Sequence, residues 1–306
     1  MTGTNTYTST DLQYVIGEVW GPMVNDAYFA KHVFANWCSD LSEMFAAQGG
    51  DILNIADIYT NPLTSASKSA AAEVTLVSPA TAQVQLAVNV HRHVAFVVED
   101  LEMANLTKSF GITEKLFAQA GKVVADDLED SLAALWSGLS QSIGDTGTIV
   151  EDKEIRQAIE ALEDNDTPME DVAWFFHPTV YWHQVMNISR YYDASQAGWV
   201  HGTATPIRSG NFGEFDRSRG LRGVLYGFPV FSSTNVVGAL QTYRNLLLHK
   251  DAFAFATKGG ERVRLQSEYK LENLGQLFVA DSRYGVVENY DTHGVVLNAN
   301  TTDIAS

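Results

Sequence analysis

Residues Thr107–Ser142, TKSFGITEKLFAQAGKVVADDLEDSLAALWSGLSQS, decide how this chain is read. Leu116, Ala120, Val123, Val124, Leu128, Ser131, Leu132, Leu135 and Leu139 recur at three- and four-residue steps, which puts small and apolar side chains on one stripe of a helix. Glu114, Lys115, Lys122, Asp126, Asp127, Glu129 and Asp130 take the other face, Thr113 reads as the N-cap, and Gly144 lies beyond the last polar turn. The spacing therefore predicts one amphipathic helix over 107–142, roughly 54 Å long at 1.5 Å per residue. A helix of that length is expected to serve as a spine to which separate sheets attach.

The flanks fit that expectation. Residues 11–48 mix aromatic and apolar side chains around a Gly21-Pro22 break and read as two short helical segments, an arm with more apolar surface than it can bury alone. Gly49-Gly50-Asp51 is a turn before a short strand, Ile52–Ile55. Thr60–Ala72, rich in Thr, Ser and Ala, is a loop that is either mobile or ordered by a neighbour. Period-2 runs, Val74 and Leu76 before Ser78-Pro79-Ala80-Thr81 and Val84, Leu86, Val88 and Val90 after it, predict a half-buried hairpin that Phe96-Val97-Val98 extends. Beyond the spine, Ile155, Ala158, Ile159 and Leu162 predict a helix from Asp152 to Glu163. Ala173–Phe176 predicts an apolar strand, and Pro178 a third helix to about Asn187. Residues 193–220 are Gly-rich and aperiodic. Short strands follow at 221–234, 246–249, 253–256, 262–268, 277–281, 284–287 and 294–297, and 298–306 reads as a polar tail.

Composition narrows the function classes. The 306 residues are 45% hydrophobic and 19% charged, without a run of about 18 apolar residues, so a soluble two-domain protein with no membrane segment is expected. The first ten residues lack a basic and an apolar region, so no secretory signal is expected. A lone cysteine, Cys38, excludes an internal disulfide framework and reads as an inert packed thiol. The formal charge of −17 argues against wrapping nucleic acid, which depends on phosphate neutralisation by Lys and Arg.

A catalytic set does not emerge. His91 and His93 sit two apart on a predicted strand and so share a face, which offers two metal ligands without a third. Asp126, Asp127, Glu129 and Asp130 lack the Glu-x-x-His step of bundle metal sites and read as a solvated face. No phosphate-binding glycine loop and no Gly-x-Ser-x-Gly elbow occurs, and no cofactor is expected. Arg208, Arg217, Arg219 and Arg222 concentrate positive charge in or beside the Gly-rich loop. They suit either contact with acidic groups of a neighbouring subunit or nucleic acid, or plain solvation.

The order of these parts resembles the major capsid proteins of tailed bacteriophages with the Hong Kong 97-like fold. The resemblance rests on Trp20-Gly21-Pro22 in the arm, Gly50-Asp51 before an Ile-x-x-Ile strand, the Ser/Ala/Thr loop on a hairpin, and Leu101-Glu102 leading into the long helix. It continues in Gly223–Val230 (GVLYGFPV), Leu248–Ala254 and Tyr284-Gly285-Val286, and spans about residues 10–298. It implies an α+β fold with an N-terminal arm at 1–55, an extended loop at 56–88, and a peripheral domain from 89–146 and 258–292 built on the spine helix. An axial domain from 147–257 and 293–306 completes it. It also implies a non-enzymatic coat subunit that forms hexamers and pentamers of an icosahedral head, assembled in the host cytoplasm and enclosing double-stranded DNA without sequence-specific binding. Scaffolding, portal and decoration proteins are compatible partners. Subunit contacts are then expected at Trp20, Pro22, Lys68, Arg208, Arg217, Arg219 and Arg222. Some members cross-link through a lysine in the extended loop, where Lys68 is the single one here. An encapsulin-like compartment shell is the nearest alternative, and a metal-dependent enzyme using His91 and His93 a second; a phage tail or decoration protein fits the long helix less well.

Overall fold

The computed structural model describes residues 22–28, 32–48, 50–57, 65–70, 73–74, 82–100, 112–145, 147–188, 221–239, 242–258 and 262–301. In chain order these form α1 (22–28), β1 (Ser39–Asp40), α2 (Ser42–Gln48), β2 (Ile52–Asp57), β3 (Ala82–Ala87), β4 (Val90–Glu99) and α3 (Ile112–Ala134). There follow β5 (Ser142–Ile143), α4 (Asp152–Glu163), β6 (Val172–Phe176), α5 (Pro178–His183), β7 (Leu221–Leu225), β8 (Phe228–Ser232) and β9 (Gly238–Ala239). The chain ends in β10 (Thr242–His249), β11 (Phe253–Thr257), β12 (Arg264–Lys270), β13 (Gly275–Glu288) and β14 (Gly294–Asn300). No described helix is long and apolar enough to cross a membrane.

Two sheets organise these strands. In the five-stranded sheet β13 is central, pairing antiparallel with β4, β11 and β12, while β1 adds to β11 in parallel. The seven-stranded sheet runs β5-β14-β10-β6-β8-β7, with β9 on β10. Its strand β6 is apolar without interruption because both its faces are covered. Ala173, Phe175, Phe231, Leu246 and Leu248 face the core shared with the other sheet, and Val172, Trp174, Phe176, Val230 and Leu247 face α4 and α5. A capping box starts α4, where the Glu151 N–H donates to the Glu154 carboxylate at 3.0 Å. The β7–β8 hairpin turns on Tyr226 and Gly227 at φ 52° and 91°, the positive pair a tight two-residue hairpin requires.

The spine differs from its predicted form. Helix α3 is described from Ile112, ahead of the expected cap Thr113, and ends at Ala134. A 3-10 turn at Leu135–Ser137 follows, and Ser142 and Ile143 already belong to a strand. Its 23 residues correspond to about 35 Å. Trp136 and Leu139 are buried from outside the helix, which is why the apolar period ran on past its end. The buried stripe is also wider than expected: Phe117, Ala120, Val124, Ala125, Leu128, Glu129, Leu132, Ala133 and Trp136 are all buried, whereas Val123 is 42% exposed. This face meets residues from both sheets, α1 and the turn at 32–38 in one apolar cluster, so α3 joins the two halves.

Other differences are local. Strand β3, 82–87, pairs with β2, Ile52 opposite Ala87 and Asp57 opposite Ala82; Val74 is exposed and outside any strand, and residues 75–81, with Leu76, lie outside the described residues. Leu277–Asp281 and Tyr284–Val287 are one continuous strand, Asn298–Asn300 belong to β14 instead of a tail, and α5 gives way to a 3-10 turn at Val185–Asn187. In the arm, both described helices, 22–28 and 42–48, follow the Gly21-Pro22 break, and the segment expected before it, 11–21, lies outside the described residues, as do 189–220.

A glycine fixes how the arm crosses the spine. A Cβ at Gly121 would overlap the carbonyl oxygen of Val24, and its carbonyl carbon would lie 3.2 Å away. Alanine is the better helix former by about 1 kcal/mol, but overpacking against backbone costs about 1–3 kcal/mol. Gly121→Ala is therefore expected to destabilise the subunit by up to about 2 kcal/mol, read as a lower urea midpoint.

Candidate assembly surfaces

The arm is anchored by one buried carboxylate. The turn at 32–38 exposes three consecutive backbone N–H groups, which need acceptors once buried. Glu129 of α3, 1% exposed, supplies them: Oε1 accepts from Val33 N and Ala35 N at 3.0 Å and from His32 Nδ1 at 3.1 Å, and Oε2 accepts from Phe34 N at 3.0 Å. Placing Glu129 on the solvated face was thus incorrect. The seat continues in Phe34, whose ring lies 4.9 Å from Trp136 and 5.0 Å from Phe175, bridging the spine and the seven-stranded sheet. Cys38 is buried here, and burial with the Glu129 charge pushes its thiol up, so it stays protonated and inert.

Sequence reasoning missed Glu129, yet a signal exists. Gly121, Ala125, Glu129 and Ala133 are spaced by four, a row of small residues that lets another backbone approach α3. A lone carboxylate in such a row faces that backbone instead of water.

The extended hairpin β2–β3 rests on a small separate core of Phe45, Leu53, Leu86, Val88 and Ala256. Its base crosses β13 at Gly285, where a Cβ would overlap the carbonyl oxygen of Ala87, and Lys258 pairs with Asp51 beside it. Beyond the hairpin, residues 65–70, including Lys68, are exposed and without regular structure. Pro22 begins α1 and is exposed, while Trp20 lies outside the described residues.

Two exposed apolar features stand out. The β12–β13 turn presents Leu271 and Leu274, 79% and 65% exposed, with Leu274 at φ 42°. On α5 Trp182 is 54% exposed, and the guanidinium of Arg222, from β7 of the seven-stranded sheet, lies over its ring, 6.0 Å from the centroid. Of the expected arginines Arg222 alone is described; Arg208, Arg217 and Arg219 lie outside the described residues.

His91 and His93 do share the exposed face of β4, their rings 6.4 Å apart. His91 Nε2 is 2.9 Å from Asp281 Oδ2, and Arg264 grips the same carboxylate with Nε at 3.0 Å and Nη2 at 2.8 Å. Among the described residues no group of three His, Cys, Asp or Glu is arranged to hold a metal. Burial alone would raise the Asp281 carboxyl, but its bonds to Arg264 and His91 outweigh that and hold it below the usual carboxylate range. A carboxyl lowered by folding stabilises above the unfolded value of about 3.9 and loses that contribution as pH falls through the folded value. Arg264→Ala is expected to lose about 1 kcal/mol at pH 7, discounted because Arg264 is partly exposed, and in urea melts the difference from the parent chain should shrink as pH falls through the lowered Asp281 value.

No protein-family model matches this sequence, and no curated protein does. Solved structures do. A chain from Mycobacterium phage Che8 superposes with a TM-score of 0.65 at 16% identity over 87% of this chain and 90% of that one. The capsid of cyanophage P-SCSP1u gives 0.60 at 13% identity over 87% of both chains. A virus-like particle from Pyrococcus furiosus gives 0.55 at 11% identity over 90% of this chain and 96% of that one. At these identities the likeness speaks for the fold alone, and this chain has the fold of these structures, the cyanophage capsid among them.

Proposed function

We propose that this protein is the major capsid protein of a tailed bacteriophage, a non-enzymatic shell subunit of the Hong Kong 97-like type. The observation that carries the reading is the likeness to capsid chains across nearly nine-tenths of the sequence. The surfaces support it. An arm seated by one carboxylate, a hairpin on its own small core and exposed Leu271, Leu274 and Trp182 suit a subunit whose neighbours complete its burial. In this reading α3 with β4, β12 and β13 of the five-stranded sheet is the core of the peripheral domain (89–146 and 258–292), and the seven-stranded sheet apart from β5 is that of the axial domain (147–257 and 293–306). The arm (1–55) and the extended loop (56–88) lie on adjacent subunits, with Trp20, Pro22 and Lys68 at those contacts. Arg208, Arg217, Arg219 and Arg222 face the axis of hexamers and pentamers, built in the host cytoplasm with scaffolding, portal and decoration proteins as further partners. The charge of −17 keeps enclosed double-stranded DNA mobile.

Light scattering on a sizing column, with negative-stain microscopy of the same fractions, tests this on protein expressed alone and with a scaffold. Closed shells or discrete rings are expected, and a monomer at every concentration under both conditions contradicts it. The match to a virus-like particle favours one second reading, an encapsulin-like compartment. Particles carrying cargo protein instead of nuclease-protected DNA would select it.

A further inference from the structure

We infer that His249 and His293 form a proton sensor at the joint between the two sheets, where acid breaks their contact and loosens the segments that connect the sheets.

Among the described residues the chain passes from one sheet to the other at 135–141 on leaving α3, at 250–252 between β10 and β11, and at 289–293 between β13 and β14. These passages are fastened to one another. Ser140 N and Oγ donate to the Asp291 carboxylate, Gln141 Nε2 to Thr292 O at 3.3 Å, and the Asn289 and Tyr290 amides to Ala252 O at 2.8 and 3.1 Å. Where they meet, the two imidazoles pack edge to face with centroids 5.2 Å apart. Neither ring has room for a second proton. The Asp251 N–H donates to His249 Nδ1 at 3.2 Å and so occupies that lone pair. Among the described residues His293 Nδ1 is buried without a hydrogen-bond partner, and a proton there would have no acceptor. Two imidazolium rings at this separation would also repel each other.

The surroundings act in the same sense. Burial pulls both rings below the ordinary histidine value; Asp251 and Asp171 favour the charged form of His249 and Lys250 opposes it, while His249 opposes and Asp251 favours the charged form of His293. The Tyr290 ring lies 4.9 Å from that of His293, and Asp40, Glu170 and Arg262 line the cleft that His249 borders. Glu288, raised by burial and by Asp291, works the other way, because acid relieves its charge. A histidine lowered by folding leaves stability intact above about pH 6.5 and removes it as pH falls toward the folded value, because the open form binds the proton.

Hydrogen exchange on the unassembled full chain at about pH 7.5 and about pH 5.5, corrected for intrinsic exchange chemistry, tests this together with a ring NMR titration of the histidines. Opening that takes up one proton grows about tenfold per pH unit below about 6.5, so the amides of Asp251, Asn289 and Tyr290 should exchange about 10- to 100-fold faster in acid. Those of Ala173–Phe176 should keep their protection. His293→Phe keeps a ring in the contact and removes its proton site, so the acid gain should shrink about tenfold. The surface control His93→Gln should behave as the parent does. Both rings should titrate below about 6.5 in the parent, a readout that needs no variant to fold. Ring titration of both histidines at or above that value would overturn the sensor. So would equal acid acceleration in β6, an acid gain unchanged in His293→Phe, or one lost equally in His93→Gln.

Discussion

Glu129→Ala should remove about 3–5 kcal/mol of stability from the unassembled subunit, seen as a lower urea midpoint at unchanged slope. The carboxylate accepts from three backbone N–H groups and a histidine in a site closed to water. Truncation leaves all four donors stranded, and each stranded buried donor costs about 1–3 kcal/mol. Relaxation of the turn returns part of that sum. Glu129→Gln retains one acceptor oxygen and should lose roughly half as much. A loss within about 0.5 kcal/mol for Glu129→Ala, the range of an ordinary surface change, would contradict the anchoring role.

Gly285→Val should cost about 2–3 kcal/mol and displace the extended hairpin. Val is a good strand residue and β13 is a strand, so propensity alone predicts a gain. The crossing decides otherwise. A Cβ at Gly285 would overlap Ala87 O and sit 2.8 Å from Ala87 C and 3.0 Å from Val88 Cα. All three are backbone atoms that no rotamer change can move, so the β2–β3 ribbon must lift and open the small core of Leu53, Leu86 and Phe45. The displacement should appear as faster exchange at Leu53 and Leu86 and as a fall in particle yield. A parent-like urea midpoint with intact hairpin protection would refute the close crossing.

Much of the architecture was legible where local pattern and burial agree. Helix α4 begins and ends at Asp152 and Glu163 as predicted, because its amphipathic period and its capping residues both mark the ends. Strand β6 was visible as an apolar run since both its faces are buried. What was illegible depended on distant partners. The residues after Pro79 alternate as a strand should, but nothing local says that their partner is 52–57 across a long connection. The apolar period past Ala134 continued through Trp136 and Leu139, which reach the same core from a 3-10 turn and the segment after it. Glu129 was assigned to water together with Asp126, Asp127 and Asp130, none of which is fully buried, because charge outweighed position in that reading. The arginines at 208, 217 and 219 and Trp20 lie outside the described residues, so their expected contacts stand as proposals.

If this subunit tiles a closed shell, electron cryomicroscopy of the purified particles should show an icosahedral assembly of hexamers and pentamers into which α3 and both sheets fit, with residues 56–88 over an adjacent subunit. Protein that remains monomeric with and without scaffold, or an assembly whose contacts leave the arm and the 56–88 loop free of any neighbour, would contradict it.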